Sequence, residues 1–200
     1  MDPTLGDMDD EEWMQDGGPA LIGVGAETDV AGYHEAFRHL EELWDDTVGR
    51  ARALDPALLH AQVGGEWSFT ETLRHLPFAT ESWVGRGVLQ LPAPWHPLSL
   101  PWDQMEDSPG IPRDRAVRPS LDEVLALRAD RQALVHRALD QVGDTHLDDV
   151  CTIPEGSAWP PPGEQLPLRE CFNTVINEEW WHRRFAERDL AVLIEREASS

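Results

Sequence analysis

Residues 173–190 read NTVINEEWWHRRFAERDL, and this pattern predicts the middle of a long amphipathic helix. Within it, Glu178 and His182 are four residues apart, so their side chains project from one face of the helix, one turn apart. A carboxylate and an imidazole at this spacing can bind one divalent cation together if a third ligand comes from elsewhere in the chain. The segment therefore predicts a helix that supplies two ligands of a metal site.

A third ligand is predicted on another helix, which begins near Ser68. Ser68 and Glu71 have the spacing of a capping box, which stabilises the start of a helix by about 1 kcal/mol. His75 follows on the flank of an apolar stripe, where it can face a groove between helices. Pro77 removes a backbone donor inside the same helix, so we expect a kink close to His75.

Three further segments complete the predicted helices. One runs from about Gly32 to Leu54, one from a second capping box at Ser120 and Glu123 to Gly143, and the last from about 167 to 195. We find no strand pattern of any length and no internal repeat, so the sequence predicts an all-α protein, a four-helix bundle. The buried faces of the first and last helices are predicted to consist of Phe37, Leu40, Trp44, Val48, Ala51, Phe172, Val175, Ile176, Ala186, Leu190, Leu193 and Ile194.

The connections between these helices are long and rich in proline. Residues 91–119 are expected to fold over the mouth of the bundle, which makes His96 a further candidate for the pocket. Residues 144–166 form a second Pro-rich connection. Residues 1–20 are acidic and interrupted by glycine and proline, so we interpret them as a mobile tail and residues 21–200 as the folded domain.

The composition is strongly acidic, with 16 basic and 38 acidic residues and a formal charge of −22. Such a surface repels phosphate backbones and anionic lipids, so we expect neither nucleic-acid nor membrane partners, whereas cations are attracted. No apolar run approaches the roughly 18 residues that cross a bilayer, and the N-terminus lacks a secretory pattern. Cys151 and Cys171 form no disulfide framework, so a cytoplasmic location is expected.

Other interpretations of the last helix stay open on spacing alone. Glu178 and His182 can form an exposed pair worth only about 0.3–0.5 kcal/mol. Glu179 and His182 have the Glu-x-x-His spacing of di-metal bundles, although the second such motif and the further carboxylates that those sites need are not evident. Glu179 can instead pair with Arg183, one turn further along.

Several short motifs together resemble a known family: Gly65-Glu66-Trp67-Ser68, Leu73-Arg74-His75-Leu76, Asn177-Glu178-Glu179-Trp180, and His182 through Arg188-Asp189-Leu190. Over residues 32–196 they are similar to the DinB-like superfamily. The greater similarity is to actinobacterial members related to the N-terminal domain of mycothiol-dependent maleylpyruvate isomerase. That isomerase has an additional C-terminal domain, for which we expect no counterpart here, so the resemblance does not imply maleylpyruvate isomerisation itself.

The resemblance implies a fold, a metal and a set of ligands. Members are four-helix bundles, often homodimers, with a divalent metal, usually zinc or nickel. One His on the second helix and two residues four apart on the last helix bind it. Carried over to this sequence, the ligands are His75, Glu178 and His182, with the Glu-xxx-His pair that is found in the mycothiol branch.

The first functional hypothesis is an enzyme that uses a small thiol, mycothiol by resemblance, to transfer to or isomerise a small electrophile. A metal with an open position stabilises the thiolate, which a free thiol seldom forms at neutral pH. Arg74 and Arg188 are candidates for binding anionic groups of the thiol. The alternatives are a metal-dependent hydrolase with Glu179 as the catalytic base, and a non-catalytic metal-binding or dimerisation module.

Overall fold

The computed structural model describes residues 28–156 and 159–199, and in these ranges the chain forms a bundle of four α-helices. The predicted acidic tail, residues 1–20, lies outside the described residues. The helices are α1 (Val30–Ala51), α2 (Phe69–Thr80), α3 (Leu121–Val142) and α4 (Leu168–Ala198). This architecture confirms the predicted all-α fold, with helix limits within a few residues of those expected.

Local sequence signals set the helix ends. The Ser68 hydroxyl accepts a hydrogen bond from the Glu71 backbone N–H, and the Glu71 carboxylate accepts one from the Ser68 N–H at 2.8 Å. Ser120 and Glu123 make the same reciprocal pair at the start of α3. Gly143 ends α3 with a φ of +65°, which glycine adopts without a steric penalty. Both predicted capping boxes are therefore confirmed.

The second helix does not end at its proline. The chain stays helical through Pro77 and continues as a π-helix over Glu81–Val88, directly after α2. Hydrogen bonds here span five residues, as when the Leu89 N–H donates to the Val84 carbonyl at 2.9 Å. Pro77 has no N–H to offer the preceding turn, and the wider helical geometry begins one turn after it.

The apolar faces meet in the centre of the bundle. All five predicted core positions of α1 are buried, and so are those of α4 except Ile194, which is 39% exposed. The prediction for Ile194 is wrong because the end of α4 runs past the core, and every described residue after Leu193 is exposed.

A short β-hairpin, which the sequence analysis did not predict, lies in the connection before α4. Strand β1 (Val150–Thr152) pairs antiparallel with β2 (Gln165–Pro167), and Cys151 lies opposite Leu166. Three residues are too few to show an alternating pattern in the sequence. The hairpin fixes the start of α4, because the Leu168 N–H donates to the Asp149 carbonyl at 2.9 Å.

The long connection between α2 and α3 packs against α2 through Arg74. This buried guanidinium donates to the carbonyls of Leu98 and Asp114, at 2.7 Å each, and to that of Val117 at 3.5 Å. In return, the Leu100 N–H donates to the Arg74 carbonyl at 3.1 Å. Arg74 thus holds the 91–119 connection in place.

None of the described helices is long and apolar enough to cross a membrane.

We expect Arg74→Ala to loosen this connection. The substitution leaves three carbonyls without their charged donor, and hydrogen bonds to charged groups are worth about 1.5–3 kcal/mol each. Limited proteolysis should cut within residues 91–119 several-fold faster than in the wild type, and the melting temperature should fall. Arg38→Ala, at an exposed position of α1, is the control and should alter neither. Unchanged protection of the connection would contradict the assigned role of Arg74.

Candidate metal site

The three predicted ligands converge between α2 and α4. One nitrogen each from His75 and His182 and one oxygen from Glu178 lie within 4.8 Å of one another. The Glu178 Oε2 atom is 3.3 Å from His75 Nε2 and 3.0 Å from His182 Nε2. Side chains 103 residues apart in sequence are thereby brought into one cluster with two imidazoles and one carboxylate.

The ring of His75 is oriented from behind by the backbone. Its Nδ1 lies 2.9 Å from the Leu100 carbonyl, and a carbonyl only accepts hydrogen bonds, so Nδ1 carries the proton. In the neutral ring, Nε2 then presents its lone pair to the Glu178 carboxylate, which is also an acceptor. Two facing acceptors need a positive charge between them. Histidines that bind a metal through one ring nitrogen usually donate the N–H of the other nitrogen to a backbone carbonyl or a carboxylate. His75 has this arrangement, with the Leu100 carbonyl as acceptor.

The pKa values in the cluster also suit a metal site. Burial by itself would raise the pKa of Glu178, but hydrogen bonds from His182 and His75 and their charges hold it well below its ordinary value. Burial lowers the pKa of His182, against the opposing effect of the Glu178 carboxylate. The ionised Glu178 carboxylate is thus held by positive charge on the two rings, and a bound cation would supply that charge in place of their protons.

Trp67 packs on both imidazoles. Its ring stacks on His182 with a 5.7 Å centroid separation and a 12° angle, and it lies 4.8 Å from the ring of His75. The indole Nε1 donates to Asp103 at 2.7 Å, and Arg115 lies over the indole ring at 5.9 Å. Trp67 belongs to one of the motifs of the family resemblance and was not predicted to contact the ligands. Its position directly before the Ser68 cap of the helix that carries His75 is the sequence signal that could have indicated this contact.

An open pocket of about 270 Å³ adjoins the cluster on the His182 side. Aromatic and acidic side chains predominate in its wall: Glu66, Trp67, Thr72, Trp102, Asp103, Gln104, His182, Phe185 and Asp189. Trp102 packs edge-on against Trp159 at 4.8 Å. The pocket therefore offers an apolar floor with carboxylates beside the candidate metal site.

The two predicted arginines differ in position. Arg74 does not line this pocket, because its guanidinium is committed to the carbonyls of the 91–119 connection. Arg188 lies at the pocket edge, where it pairs with Glu66 and donates from Nε to Asp189 at 2.8 Å. Burial raises the pKa of Asp189, and Arg188 opposes that effect.

Glu179 points away from the cluster and into the bundle. Its partner is Arg128 of α3, at 2.7 Å from Nη2 to Oε2, and both side chains are buried. The interpretation that Glu179 pairs with Arg183 is wrong, since Arg183 donates to the Leu43 carbonyl and the Thr47 hydroxyl, 3.0 Å away in each case. Held by Arg128, Glu179 is not placed to act as the catalytic base.

The remaining candidates lie outside the cluster. The ring Nδ1 of His96 accepts a hydrogen bond from the Leu98 backbone N–H, and the backbone N–H of His96 donates to the Glu81 carboxylate. Of three tryptophans in this part of the fold, Trp102 lines the pocket, whereas Trp180 is buried in the core and Trp95 donates to the Ser82 hydroxyl.

Glu81, at the start of the π-helix, gives the protein a pH-dependent stability. Burial raises the pKa of its carboxyl to about 7, against opposing hydrogen bonds that include one from Arg131 at 2.7 Å. The folded state then binds more protons than the unfolded state, so this contribution is full below about pH 4.5 and is lost as the pH rises through about 7. We expect the wild type to lose about 3 kcal/mol over this range relative to Glu81→Gln.

Denaturant titrations of both proteins from pH 4.5 to 8 measure the difference. Glu195→Gln, at an exposed position of α4, is the control and should follow the wild-type curve. Parallel curves for the wild type and Glu81→Gln would show that Glu81 titrates normally in the folded protein.

The fold and the cluster together define a class, that of helical bundles with a two-histidine, one-carboxylate candidate metal site. The chain belongs to the DinB superfamily, whose family model matches residues 39–186. Proteins of this superfamily are typically metal-binding. No curated protein and no solved structure shows significant similarity to the chain.

Proposed function

We propose that His75, Glu178 and His182 bind one divalent metal ion, zinc or nickel, and that the protein is a thiol-dependent transferase or isomerase. The observation that carries this proposal is the convergence of the three ligand atoms within 4.8 Å beside an open pocket. Imidazole and carboxylate together suit zinc and nickel. When bound, the metal would supply a Lewis acid that lowers the pKa of a thiol.

The residues around the site support this chemistry by orienting ligands and restricting water. The Leu100 carbonyl holds the His75 ring, and Trp67 covers both imidazoles. Trp102 and Phe185 give the pocket an apolar surface on which an electrophile can lie. Such a surface leaves room for a small molecule next to the ligands.

Mycothiol is the thiol that the motif resemblance suggests, because the last helix carries Glu-xxx-His. Of the two arginines considered for its anionic groups, Arg188 alone lies next to the pocket, and its pairs with Glu66 and Asp189 would have to rearrange. The acidic wall instead favours hydrogen-bond donors or cationic groups on the thiol or the electrophile. We therefore assign no thiol-binding role to Arg74.

The proposal can be tested by cobalt substitution. Metal-depleted protein is loaded with Co²⁺ and titrated with mycothiol, cysteine or 2-mercaptoethanol while the absorption spectrum is recorded. A saturable band from thiolate-to-cobalt charge transfer supports the thiol-dependent enzyme. Co²⁺ spectra that thiols do not alter would contradict it.

A hydrolase is the second candidate, and the carboxylate of Asp189 favours it. This group is buried in the pocket wall and burial raises its pKa, so it becomes a base once its hydrogen bond from Arg188 opens. Hydrolysis would be supported if the protein turns over ester or amide substrates and Asp189→Asn lowers that rate more than about 100-fold. Thiols should then leave the Co²⁺ spectrum of the protein unchanged. Absence of both activities would leave a metal-binding or dimerisation module.

A further inference from the structure

Two histidines on neighbouring helices face each other apart from the candidate metal site. His34 of α1 and His136 of α3 have their Nδ1 atoms 2.6 Å apart. Each side chain is 26% exposed, so the pair is open to solvent. Neither residue takes part in the His75, Glu178 and His182 cluster.

The two rings meet head to head. Their planes differ by 6°, and their centroids are 4.9 Å apart. This separation is close to the largest that two imidazoles can have at such a nitrogen–nitrogen distance, so the rings lie edge to edge in nearly one plane. The two Nδ1 atoms therefore point directly at each other.

The outer nitrogens are held by carboxylates. His34 Nε2 lies 3.0 Å from Asp140, and His136 Nε2 lies 3.2 Å from Glu41. An ionised carboxylate only accepts hydrogen bonds, so each Nε2 carries a hydrogen and each neutral ring keeps its lone pair on Nδ1. Two lone pairs at 2.6 Å repel unless a proton or a metal ion lies between them. Histidine backed by a carboxylate is the usual environment of a metal-ligating histidine.

We propose that His34 and His136 form a second metal site, for an imidazole-binding transition-metal ion such as Ni²⁺, Cu²⁺ or Zn²⁺. Metal–nitrogen bonds of about 2.0–2.1 Å put two neighbouring ligand nitrogens about 2.9 Å apart in square-planar or octahedral geometry and about 3.3 Å apart in tetrahedral geometry, so the nitrogens must part by less than about 1 Å. Each ring must also turn by roughly 35–45°, so that the two lone pairs meet at the ion. Partly exposed side chains can move that far. Water completes the coordination, and the charge of −22 favours cation binding.

Counting bound Ni²⁺ in single and double variants tests this site separately from the first. Metal-free protein is dialysed against Ni²⁺ and its content measured by mass spectrometry. The wild type should bind two ions per chain, His136→Ala one, His182→Ala one, and the double variant none. Asp140→Asn should keep the site but weaken it about tenfold or more. His146→Ala removes an exposed histidine that also pairs with an aspartate, and it should bind as the wild type does.

The two proposals fail in different ways. If the first site binds no metal, His182→Ala equals the wild type, whereas His136→Ala still loses one ion. If His34→Ala and His136→Ala bind as many ions as the wild type, the second site does not exist and the two nitrogens share only a proton. Circular dichroism melts of each variant show that the protein remains folded.

Discussion

Alanine in place of His75 or His182 is expected to remove the tightly bound metal of the candidate site almost completely. Each substitution leaves two ligands from a set of three, and the acidic surface cannot compensate for a lost inner ligand. Measured in a His136→Ala background, metal content after dialysis against a weak chelator should fall from about one ion per chain to nearly none. Metal should also raise the melting temperature of the parent, but not of either variant.

Glu178→Ala and Glu179→Gln form the sharpest comparison, because they change adjacent residues of one helix. Glu178→Ala should lose the metal, whereas Glu179→Gln should keep it, since the carboxylate of Glu179 faces Arg128. Metal loss with Glu179→Gln alone would transfer the ligand role to that residue. His146→Ala controls for the general effect of removing a histidine.

The second large effect is expected from the buried ion pair between α3 and α4. Arg128→Met should lower the free energy of unfolding by about 3–5 kcal/mol, because it leaves Glu179 buried without its partner. Arg128 also lies 4.4 Å from the ring of Trp44, so a contact with α1 is lost too. Denaturant titration at pH 7.5 measures the change.

The pH dependence separates the two halves of this pair. Burial raises the pKa of Glu179, with Arg128 opposing the rise, so Glu179 without Arg128 can take up a proton and the defect of Arg128→Met should shrink at pH 5. Glu179→Gln leaves a buried guanidinium that stays charged, so its defect should persist at both pH values. Arg128→Met combined with Glu179→Leu should recover most of the lost stability. A single Arg128→Met change that costs less than about 1 kcal/mol would show that the pair is hydrated.

Much of the site could be predicted from the sequence because its signals are local. Capping boxes at Ser68 and Ser120 involve residues three apart, and the pairing of Glu178 with His182 involves residues four apart. Such spacings fix relative positions on any helix, whatever the rest of the chain does. His75 was predicted as the third ligand from its place on the flank of the apolar stripe of the second helix, the family resemblance supported that choice, and the structure brings it to the other two.

Other assignments depended on partners that are far apart in sequence. Glu179 could face Arg183 or another group, and the packing of α3 against α4 places it at Arg128, 51 residues away. Arg74 was predicted to bind a ligand, but its guanidinium donates to carbonyls of the 91–119 connection instead. Helical periodicity gives the direction of a side chain but not what lies opposite it.

The amino-acid sequence alone determined the four helices, their capped ends and the two ligands on one turn of the last helix, because each depends on residues within a few positions. Tertiary structure decided which histidine meets them, which nitrogen of His75 is free, and which groups line the pocket. The Leu100 carbonyl that sets the His75 tautomer is 25 residues away in the sequence, and helical periodicity does not predict that contact. Only the packing of the 91–119 connection against α2 supplies that hydrogen bond.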